Sequence, residues 1–539
     1  MCSSDLREAR WQVRGNFDWQ ADRYNRIKLG GEFHRIDTRR YNAGSGAISA
    51  FGINAYHETP VRYGAYVEDR LDLGDVVIVG GLRYDYYDSR ASYPFTPGRI
   101  STDSGTFNPY QPDAKFLLAP THNAWSPRVQ VSFPVTERTN FRLSYAHQVQ
   151  TPDFDLMFRG INTDLSVTNQ NQSYGRDLSF GKTIIFEFGI RHAFSQDMVL
   201  DVAAYNKDKI ADLAGRLLQL ADPAKNGETS DFRVLTNADF GNVRGVDVRL
   251  DRRFSNLFSG SVAYTFQVAR NTGSDPFTYF NTLARQISTL TGETNPPPQA
   301  ALPTDDNRTN NIVGSGSLSF PTDWKKGTTL GTVLRNVGAF VTFRFASGLP
   351  YTRVFPAAEG VTPGGFGLEG NAVESLNSST RPWFKDVSLR VTKGFRVGGV
   401  DWTAFGEARN IFDFKNIVSL FTEVGDVTYP DLQARYDSEQ VTLLRSEAAS
   451  AGALVGSSVD FNLLGGCENW QGRNAGNFSS GPVDCVLLER AEARYGNGDG
   501  VFTPAEYNAA FNSWYNLQNA PSRFYGPGRR VRFGFEISF

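Results

Sequence analysis

Residues 529–539 read RRVRFGFEISF, and this final stretch decides the fold. From Val531 to Phe539 every odd-numbered position is apolar, whereas the even-numbered positions carry Arg, Gly, Glu or Ser. Side chains of a β-strand point alternately to its two faces. The stretch therefore predicts a strand with one apolar face and one polar face, which ends on an aromatic residue.

The same alternation recurs along the chain. Examples are SPRVQVSF (126–133), NFRLSYA (140–146), IFEFGIRHAF (185–194), RGVDVRLDRR (244–253) and KDVSLRVTK (385–393). About fifteen such strands can be placed, and many approach the roughly ten residues that a tilted strand needs to cross a bilayer. Strands in soluble sheets are usually shorter.

The predicted connections alternate between short and long. The short connections lie at 20–25, 73–75, 134–140, 195–197, 252–258 and 396–399. The long connections lie near 38–61, 89–124, 150–182, 209–240, 270–307, 348–380 and 417–525. This pattern places all the long loops at one end of the sheet, as in outer-membrane barrels with short periplasmic turns and long extracellular loops.

Composition excludes several function classes. Lys plus Arg (55) nearly balance Asp plus Glu (57), so the net charge of −2 gives no indication of nucleic-acid binding. The chain lacks the run of about eighteen apolar residues that a membrane helix needs, and its first residues lack the apolar core of a signal peptide. The five histidines are scattered without metal-binding spacing, so no enzyme is predicted.

The two faces of the strands predict an all-β, transmembrane antiparallel β-barrel. A closed sheet of fifteen or so strands has a lumen too wide for its own side chains to fill. The apolar row would therefore face lipid and the polar row a wet lumen. Nine charged side chains of the polar row are candidates to line that lumen: Arg128, Arg142, Glu187, Arg191, Asp247, Arg249, Arg390, Glu407 and Arg409. They could guide an anionic solute or hold a domain inside the barrel, or they could simply compensate one another in water.

Four long stretches carry a resemblance to a known family. They are YGAYVEDRLDLGDVVIVGGLRYDYYDS (63–89), WSPRVQVSFPVTERTNFRLSYAHQVQTPDFD (125–155), DFGNVRGVDVRLDRRFSNLFSGSVAYTFQVAR (239–270) and FGEARNIFDFKN (405–416). They resemble the barrel of TonB-dependent outer-membrane receptors, and most of all the subgroup whose barrels are similar to Oar. The resemblance runs from about Trp11 to Phe539.

The resemblance implies twenty-two strands, a plug inside the barrel and an energy-coupling box ahead of the plug. With about fifteen strands, the chain looks like the C-terminal two-thirds of such a barrel and lacks the plug and the box. We therefore expect an unassigned leader or remnant at 1–10, barrel strands and loops at 11–416, a long extracellular loop at 417–525 and the last strand at 526–539.

The resemblance also implies function and partners. Such receptors lie in the outer membrane, bind an extracellular ligand at their outer loops and take it up with energy passed from TonB through the plug region. The barrel-assembly machinery would recognise Phe539, and the apolar face would contact outer-membrane lipid. The ligand is unidentified and no cofactor is required. Two alternatives stay open: a surface adhesion or structural barrel, and a passive porin.

The connection at 417–525 is too long for a structureless loop and should carry its own fold. A bond between Cys467 and Cys485 would close a loop of roughly nineteen residues. Apolar spacing predicts helices over about 484–494 and from Pro504 to about Tyr515, and the segment between them resembles a calcium-binding EF-hand loop. Its candidate ligands are Asn497, Asp499, the carbonyl of Val501, Thr503 and Glu506. Tyr495 occupies the first ligand position, which is normally Asp, and Thr503 with Glu506 also fits a helix capping box.

Overall fold

A computed structural model describes residues 3–43, 53–95, 115–158, 161, 173–174, 177–221, 229–278, 300–354, 372–428, 449, 452–460, 463, 493–506, 509 and 521–538. The sequence-based site residues Cys467, Cys485 and Phe539 lie outside this part of the chain. No helix among the described residues is long and apolar enough to cross a membrane.

The described elements are mainly strands. They are β1 (Ser3–Gln20), β2 (Asn25–Ala43), β3 (Ile53–Glu58), β4 (Val61–Asp72), β5 (Val77–Asp88), β6 (Ser92–Phe95), β7 (Lys115–Leu118), β8 (His122–Thr136), β9 (Thr139–Gln150), β10 (Ser173–Tyr174), β11 (Gly181–Ala193), β12 (Met198–Ala221), β13 (Thr229–Ser255), β14 (Phe258–Asn271), β15 (Leu302–Pro303), β16 (Asn310–Ser319), β17 (Val337–Ala346), β18 (Pro350–Tyr351), β19 (Ser379–Thr380), β20 (Phe384–Val397), β21 (Val400–Arg409), β22 (Leu454–Val455), β23 (Ser458–Asp460), β24 (Val501–Phe502) and β25 (Arg530–Ser538). The described helices are α1 (Phe154–Met157), α2 (Thr329–Leu334) and α3 (Pro521–Phe524).

One large sheet contains fifteen described strands of nine or more residues, together with the short strands β3, β10 and β15. Long strands that follow one another in the chain are antiparallel neighbours, from β1–β2 and β2–β4 through to β20–β21. A close contact shows that β25 lies beside β21: a Cβ atom at Gly406 in β21 would lie 3.2 Å from the ring of Phe533 in β25. This meander confirms the predicted all-β, antiparallel architecture.

The two faces of the large sheet differ as the alternation predicts. Apolar side chains are exposed along one face, up to 83 % for Phe533 and 74 % for Trp11. Register places paired residues on the same face, so Val248 shares this face with Val202 of β12 and Tyr264 of β14. The opposite face carries most of the ion pairs, some within one strand, such as Arg249 with Asp251, and others between strands, such as Arg142 with Asp201. A water-soluble protein rarely exposes so much contiguous apolar surface.

The short connections meet at one edge of the sheet. Between β20 and β21 the turn has two residues, Gly398 (φ 62°) and Gly399 (φ 86°). A tight hairpin turn of this type needs positive φ at both positions, which glycine adopts without strain. The turns after β4, β8, β11 and β13 are also short, and they lie at the same edge. The opposite edge carries the long connections, as the sequence predicts.

Three sequence-based boundaries are wrong. β1 begins at Ser3 rather than Trp11, so the segment assigned as a remnant is largely strand. The loop predicted at 209–240 is mostly strand, because β12 and β13 continue as a paired hairpin to Ala221 and Thr229. The last long connection runs from the end of β21 at Arg409 to the start of β25 at Arg530, instead of covering 417–525.

The chain divides into two compact units. One comprises 1–350, 385–409 and 531–539, and contains nearly all of the large sheet. The other comprises 351–384 and 410–530. Within the second unit, β22, β23 and β24 form a small antiparallel sheet around the buried side chains of Val459 and Phe502.

Candidate functional site

All nine charged candidates lie on the polar face of the large sheet. The register between neighbouring strands shows which residues from β8 to β17 share a face. The hydroxyl of Thr392 in β20 donates to the carbonyl of Gly338 in β17, 3.3 Å away, which extends this assignment to β20. The nine do not form a single site. They fall into a large group on β9–β13, a second group near β25 and a separate position at Arg128.

The large group centres on Arg142. Its guanidinium donates to both carboxylate oxygens of Asp201, at 2.9 and 2.8 Å, and to Glu187 at 3.4 Å. A forked guanidinium–carboxylate pair fixes direction as well as charge. Gly189 makes room for this geometry, because a Cβ there would lie 2.7 Å from Nε of Arg142. Sequence reasoning missed Asp201, although its position in the alternating stretch of β12 places it on the polar face.

A cavity of about 540 Å³ opens beside Arg142. Its charged lining includes four more of the candidates, Glu187, Arg191, Asp247 and Arg249. Arg249 pairs with Asp251 at 2.8 Å, and Asp247 accepts a hydrogen bond of 2.7 Å from the hydroxyl of Thr265. The cavity is therefore lined by both guanidinium and carboxylate groups, which can donate and accept hydrogen bonds. Such a surface can hold a polar or zwitterionic partner.

The second group joins β20, β21 and β25. Arg390 pairs with Glu536 at 2.6 Å, and Glu407 pairs with both Arg409 at 2.9 Å and Arg532 at 2.6 Å. The pair of Glu407 with Arg409 lies within β21, whereas the other two pairs tie the last strand to β20 and β21. The Glu407 side chain is only 12 % exposed, but its two arginine partners are more than 60 % exposed, so water screens these pairs and each contributes little to stability.

Arg128 stands apart from both groups. Its nearest carboxylate is Glu68, 3.8 Å away, which also lies 3.9 Å from Lys28. Its aliphatic stem packs over Gly81, where a Cβ would lie 3.2 Å from Cγ of Arg128. These loose contacts leave the guanidinium nearly half exposed on the polar face.

A further cluster of charged side chains, not predicted from the sequence, lies on the same face. Arg83 donates to Glu32 at 2.5 Å and to Asp85 at 2.7 Å, and the side chain of Asp85 is buried. Gly64 leaves space for this guanidinium, since a Cβ there would clash with it. The three charged residues come from β2 and β5, two strands that are not adjacent. Only the register of the intervening β4 reveals that they meet.

The long-connection edge carries a small apolar cluster. Met157 at the end of α1 and Phe158 directly after it pack with Tyr56 and Tyr87, and Asp155 near the start of α1 pairs with Arg40 of β2. A cavity of about 240 Å³ lies next to it, with Arg10, Arg62 and Thr151 in its wall. The connection after β9 thus folds back over the polar face of the sheet.

Glu58 ends β3 at this edge, beyond the part of β2 that pairs with β4. Burial raises the pKa of the Glu58 carboxyl to about 7, and the neighbouring His57 offsets this only in part. The charge at this edge therefore changes near neutral pH.

The five calcium-ligand candidates lie within one compact loop. The backbone N–H groups of Asp499 and Val501 donate to the side chains of Asn497 and Asp499, each at 2.8 Å. Glu506 accepts from the N–H of Thr503 at 2.6 Å, and Thr503 Oγ1 accepts from the N–H of Glu506 at 3.4 Å. The capping box predicted as the alternative is therefore formed.

Calcium would have to compete with the capping box for the carboxylate of Glu506. β24 pairs with β23 rather than with a second loop of its own kind. Within the described part of the chain, no group of three or more His, Cys, Asp or Glu side chains could hold a metal ion. Of the two predicted helices, 493–495, 504–506 and 509 are described and helical. Calcium binding stays a prediction.

Comparisons with known proteins agree with this geometry. A family model described as "TonB dependent receptor-like, beta-barrel" matches residues 3–445. A search of curated protein sequences finds no match.

Among solved structures, the outer membrane transporter YddB from Escherichia coli matches with a TM-score of 0.50 and 10 % identity, over 78 % of this chain and 52 % of that one. The siderophore receptor PiuA from Acinetobacter baumannii matches with a TM-score of 0.46 and 11 % identity, over 77 % and 53 %. The ferric-catecholate import receptor Fiu from Escherichia coli K12 gives 0.45 and 14 %, over 78 % and 52 %. At such low identities the likeness shows the fold alone, and the match to YddB is the one that supports it. The chain spans about half the length of these proteins.

Proposed function

Since the chain belongs to the TonB-dependent receptor-like β-barrel family, whose members lie in the bacterial outer membrane, we propose that it forms the barrel of an energy-coupled receptor. This receptor takes up an unidentified extracellular ligand. The ligand binds at the long-connection edge of the sheet. Energy reaches it from TonB through a plug region carried by the full-length protein, and the chemistry of the reaction is transport rather than catalysis.

One observation supports this proposal most strongly. Apolar and charged side chains lie on opposite faces of the sheet, and the short turns and the long connections lie at opposite edges. Exposed apolar side chains on one face suit lipid, because the same surface in water would promote aggregation. The charged candidates, including Arg142, Asp247 and Glu407, occupy the other face, where a wet lumen keeps them solvated. Long connections at a single edge supply the ligand-binding surface that such a receptor needs.

The interior of the proposed receptor is built for a polar occupant. The cavity beside Arg142 offers three guanidinium groups and four carboxylates within about 540 Å³. A plug domain or a passing polar solute would find hydrogen-bond partners of both signs there. No cofactor is needed for this role.

Surface adhesion is a second candidate, and one observation favours it. The last long connection carries its own small sheet, β22–β24, together with the capped turn at Thr503 and Glu506. A connection with folded elements of its own suits attachment to another surface as well as capture of a solute.

The test compares cells that carry the full-length gene with cells that lack it, in strains with and without TonB. The readout is mass spectrometry of the spent medium, which reports compounds removed from it. We expect at least one compound to be depleted only when both the receptor and TonB are present. Depletion that persists without TonB would indicate a porin, and no depletion together with receptor-dependent surface attachment would indicate an adhesin.

A further inference from the structure

The connection between β16 and β17 differs from the other short-edge connections. It covers residues 320–336, whereas the turn after β20 has two residues and the turn after β13 also has two. It lies at the short-connection edge, because Leu318 near the end of β16 pairs with Phe258 just after the β13–β14 turn. We call it the 320–336 turn. It contains α2.

Two contacts place the 320–336 turn on the apolar side of the sheet. Phe320 continues the apolar row of β16 by alternation after Leu318, and Trp324 packs edge-on against it with ring centroids 4.7 Å apart. Lys393 lies in β20 between Val391 and Phe395 and so belongs to the apolar row. Its ammonium group donates to the carbonyl oxygens of Val333 at 2.8 Å and Arg335 at 2.6 Å.

Lys393 therefore holds the C-terminal end of α2 against the face that meets lipid. A cation at the C-terminal end of a helix satisfies carbonyl groups that have no partner within the helix. Isolated helices of this length are not stable in water, so α2 depends on contacts of this kind. Thr328 caps the other end, where its hydroxyl oxygen accepts from the N–H of Gly331 at 3.0 Å.

The outer surface of the 320–336 turn is amphipathic. Leu330 is 52 % exposed and Val333 is 60 % exposed, and their spacing of three residues places them on the same face of α2. Three cations, Lys325, Lys326 and Arg335, are exposed in the same segment and only Asp323 opposes them. The Lys325 ammonium lies 5.1 Å from the ring centroid of Trp324.

We propose that the 320–336 turn binds the anionic phospholipid headgroups of the leaflet on the short-connection side, with Leu330 and Val333 inserted among the acyl chains. Tryptophan prefers the membrane interface, and basic side chains near the surface are attracted to anionic lipid. The apolar pair continues a surface that already meets lipid, through Leu318 and Phe258, both exposed. A soluble protein partner would have to displace that lipid to reach the same side chains.

The proposal goes beyond the receptor function and requires only the assignment of the apolar face to lipid. It also gives the segment a task in the barrel. By fixing one turn to the interface, the 320–336 turn would set the depth of β16, β17 and β20 in the bilayer. Lys393 is then a positioning residue, which acts on lipid binding through α2.

The test uses the whole 539-residue chain, with its three cysteines replaced by serine and folded into vesicles. A fluorescent probe is attached through Thr329→Cys, which lies on the same face of α2 as Val333, or through Asp75→Cys as a control in the exposed turn after β4. The vesicles contain phosphatidylcholine alone or phosphatidylcholine mixed with phosphatidylglycerol. The measurement is the fraction of probe that aqueous iodide can quench.

We expect the probe at position 329 to be shielded from iodide, and more so with phosphatidylglycerol, while the probe at 75 stays accessible in both vesicles. The double substitution Lys325→Gln and Lys326→Gln should lower the affinity of the 320–336 turn for phosphatidylglycerol by about fivefold per lysine. The extra shielding of the probe at position 329 in vesicles with phosphatidylglycerol should therefore be lost. The matched variant Lys28→Gln with Lys207→Gln removes two lysines from the polar face and should leave the effect unchanged.

Two further variants separate lipid binding from simple loss of fold. Lys393→Met should expose the probe at 329 while the strands stay resistant to protease, and Lys393→Arg should restore the shielding. Equal quenching at positions 329 and 75 in both vesicles would overturn the proposal. So would a Lys325 and Lys326 variant that behaves like the Lys28 and Lys207 variant, or shielding that appears only when a periplasmic extract is added.

Discussion

The substitution Val248→Arg tests which face of the sheet meets lipid. Val248 lies on the apolar face, four residues before Arg252, whose guanidinium carbon sits 5.6 Å from the ring centroid of Phe258 at the short-connection edge. With a rise of about 3.3 Å per residue and a tilt of about 40°, Val248 lies roughly 10 Å further in. This is near the middle of an apolar band about 25 Å tall.

An arginine at that depth should destabilise the folded chain by about 2–4 kcal/mol. The matched control is Asp247→Ala, one residue away on the polar face, which loses a 2.7 Å hydrogen bond from Thr265 and should cost about 1 kcal/mol. The assay is reversible urea unfolding of the chain in phosphatidylcholine vesicles. On the last strand, Phe533→Arg against Arg532→Ala repeats the comparison. If the Asp247 and Arg532 variants were the more damaging ones, the assignment of the two faces would be reversed.

The remaining predictions concern the polar face, assembly and the last connection. In a double-mutant cycle by urea unfolding, Arg142→Ala and Asp201→Ala should show a coupling energy of about 1 kcal/mol, because each removes the same forked ion pair; additive effects would contradict that pairing. Deleting Phe539 from the full-length protein should lower its amount in the outer-membrane fraction without changing synthesis, and an unchanged amount would remove the assembly role. Calcium at millimolar concentration should protect 493–506 from hydrogen exchange, in keeping with the weak affinity expected without an acidic first ligand, and Glu506→Gln should abolish the protection. Equal exchange in calcium and in chelator would leave the capping box as the sole function of Thr503 and Glu506.

Alternation was sufficient to predict the strands inside the membrane band. From Val246 to Asp251 the apolar positions face lipid and the charged positions Asp247, Arg249 and Asp251 face water, so the period of two is visible in the sequence. It failed where strands leave the band. Beyond Lys209 the apolar and polar residues of β12 no longer alternate, and residues 6–10 of β1 are exposed on both faces, so alternation carries no signal there. Those segments are strands because they pair with a neighbour, as Leu6 does with Arg40.

The members of the polar face were predictable, but their partners were not. Parity alone places Arg390 and Glu407 on the same face, whereas the contact of Arg390 with Glu536 joins residues 146 positions apart in the chain. Such pairs depend on the register between strands, which tight turns fix only for consecutive strands. The Arg83 cluster illustrates the same limit, because Glu32 reaches it across β4.

The 320–336 turn was invisible to alternation for a different reason. α2 is too short to show a helical period, and its place on the apolar face depends on Lys393, more than fifty residues later in the sequence. A lysine within an apolar row was the available signal. Its meaning required the position of the carbonyl groups at the end of α2.

The most direct test of the account is the accessibility of the two edges of the sheet in living cells. Thr121 lies in a long connection before β8, and Asp75 lies in the short turn between β4 and β5; both are exposed. In the full-length protein without natural cysteines, Thr121→Cys should react with a membrane-impermeant maleimide in intact cells. Asp75→Cys should react only after the outer membrane is permeabilised. Labelling of Asp75→Cys in intact cells, with Thr121→Cys protected, would contradict an outer-membrane receptor with its long connections outside.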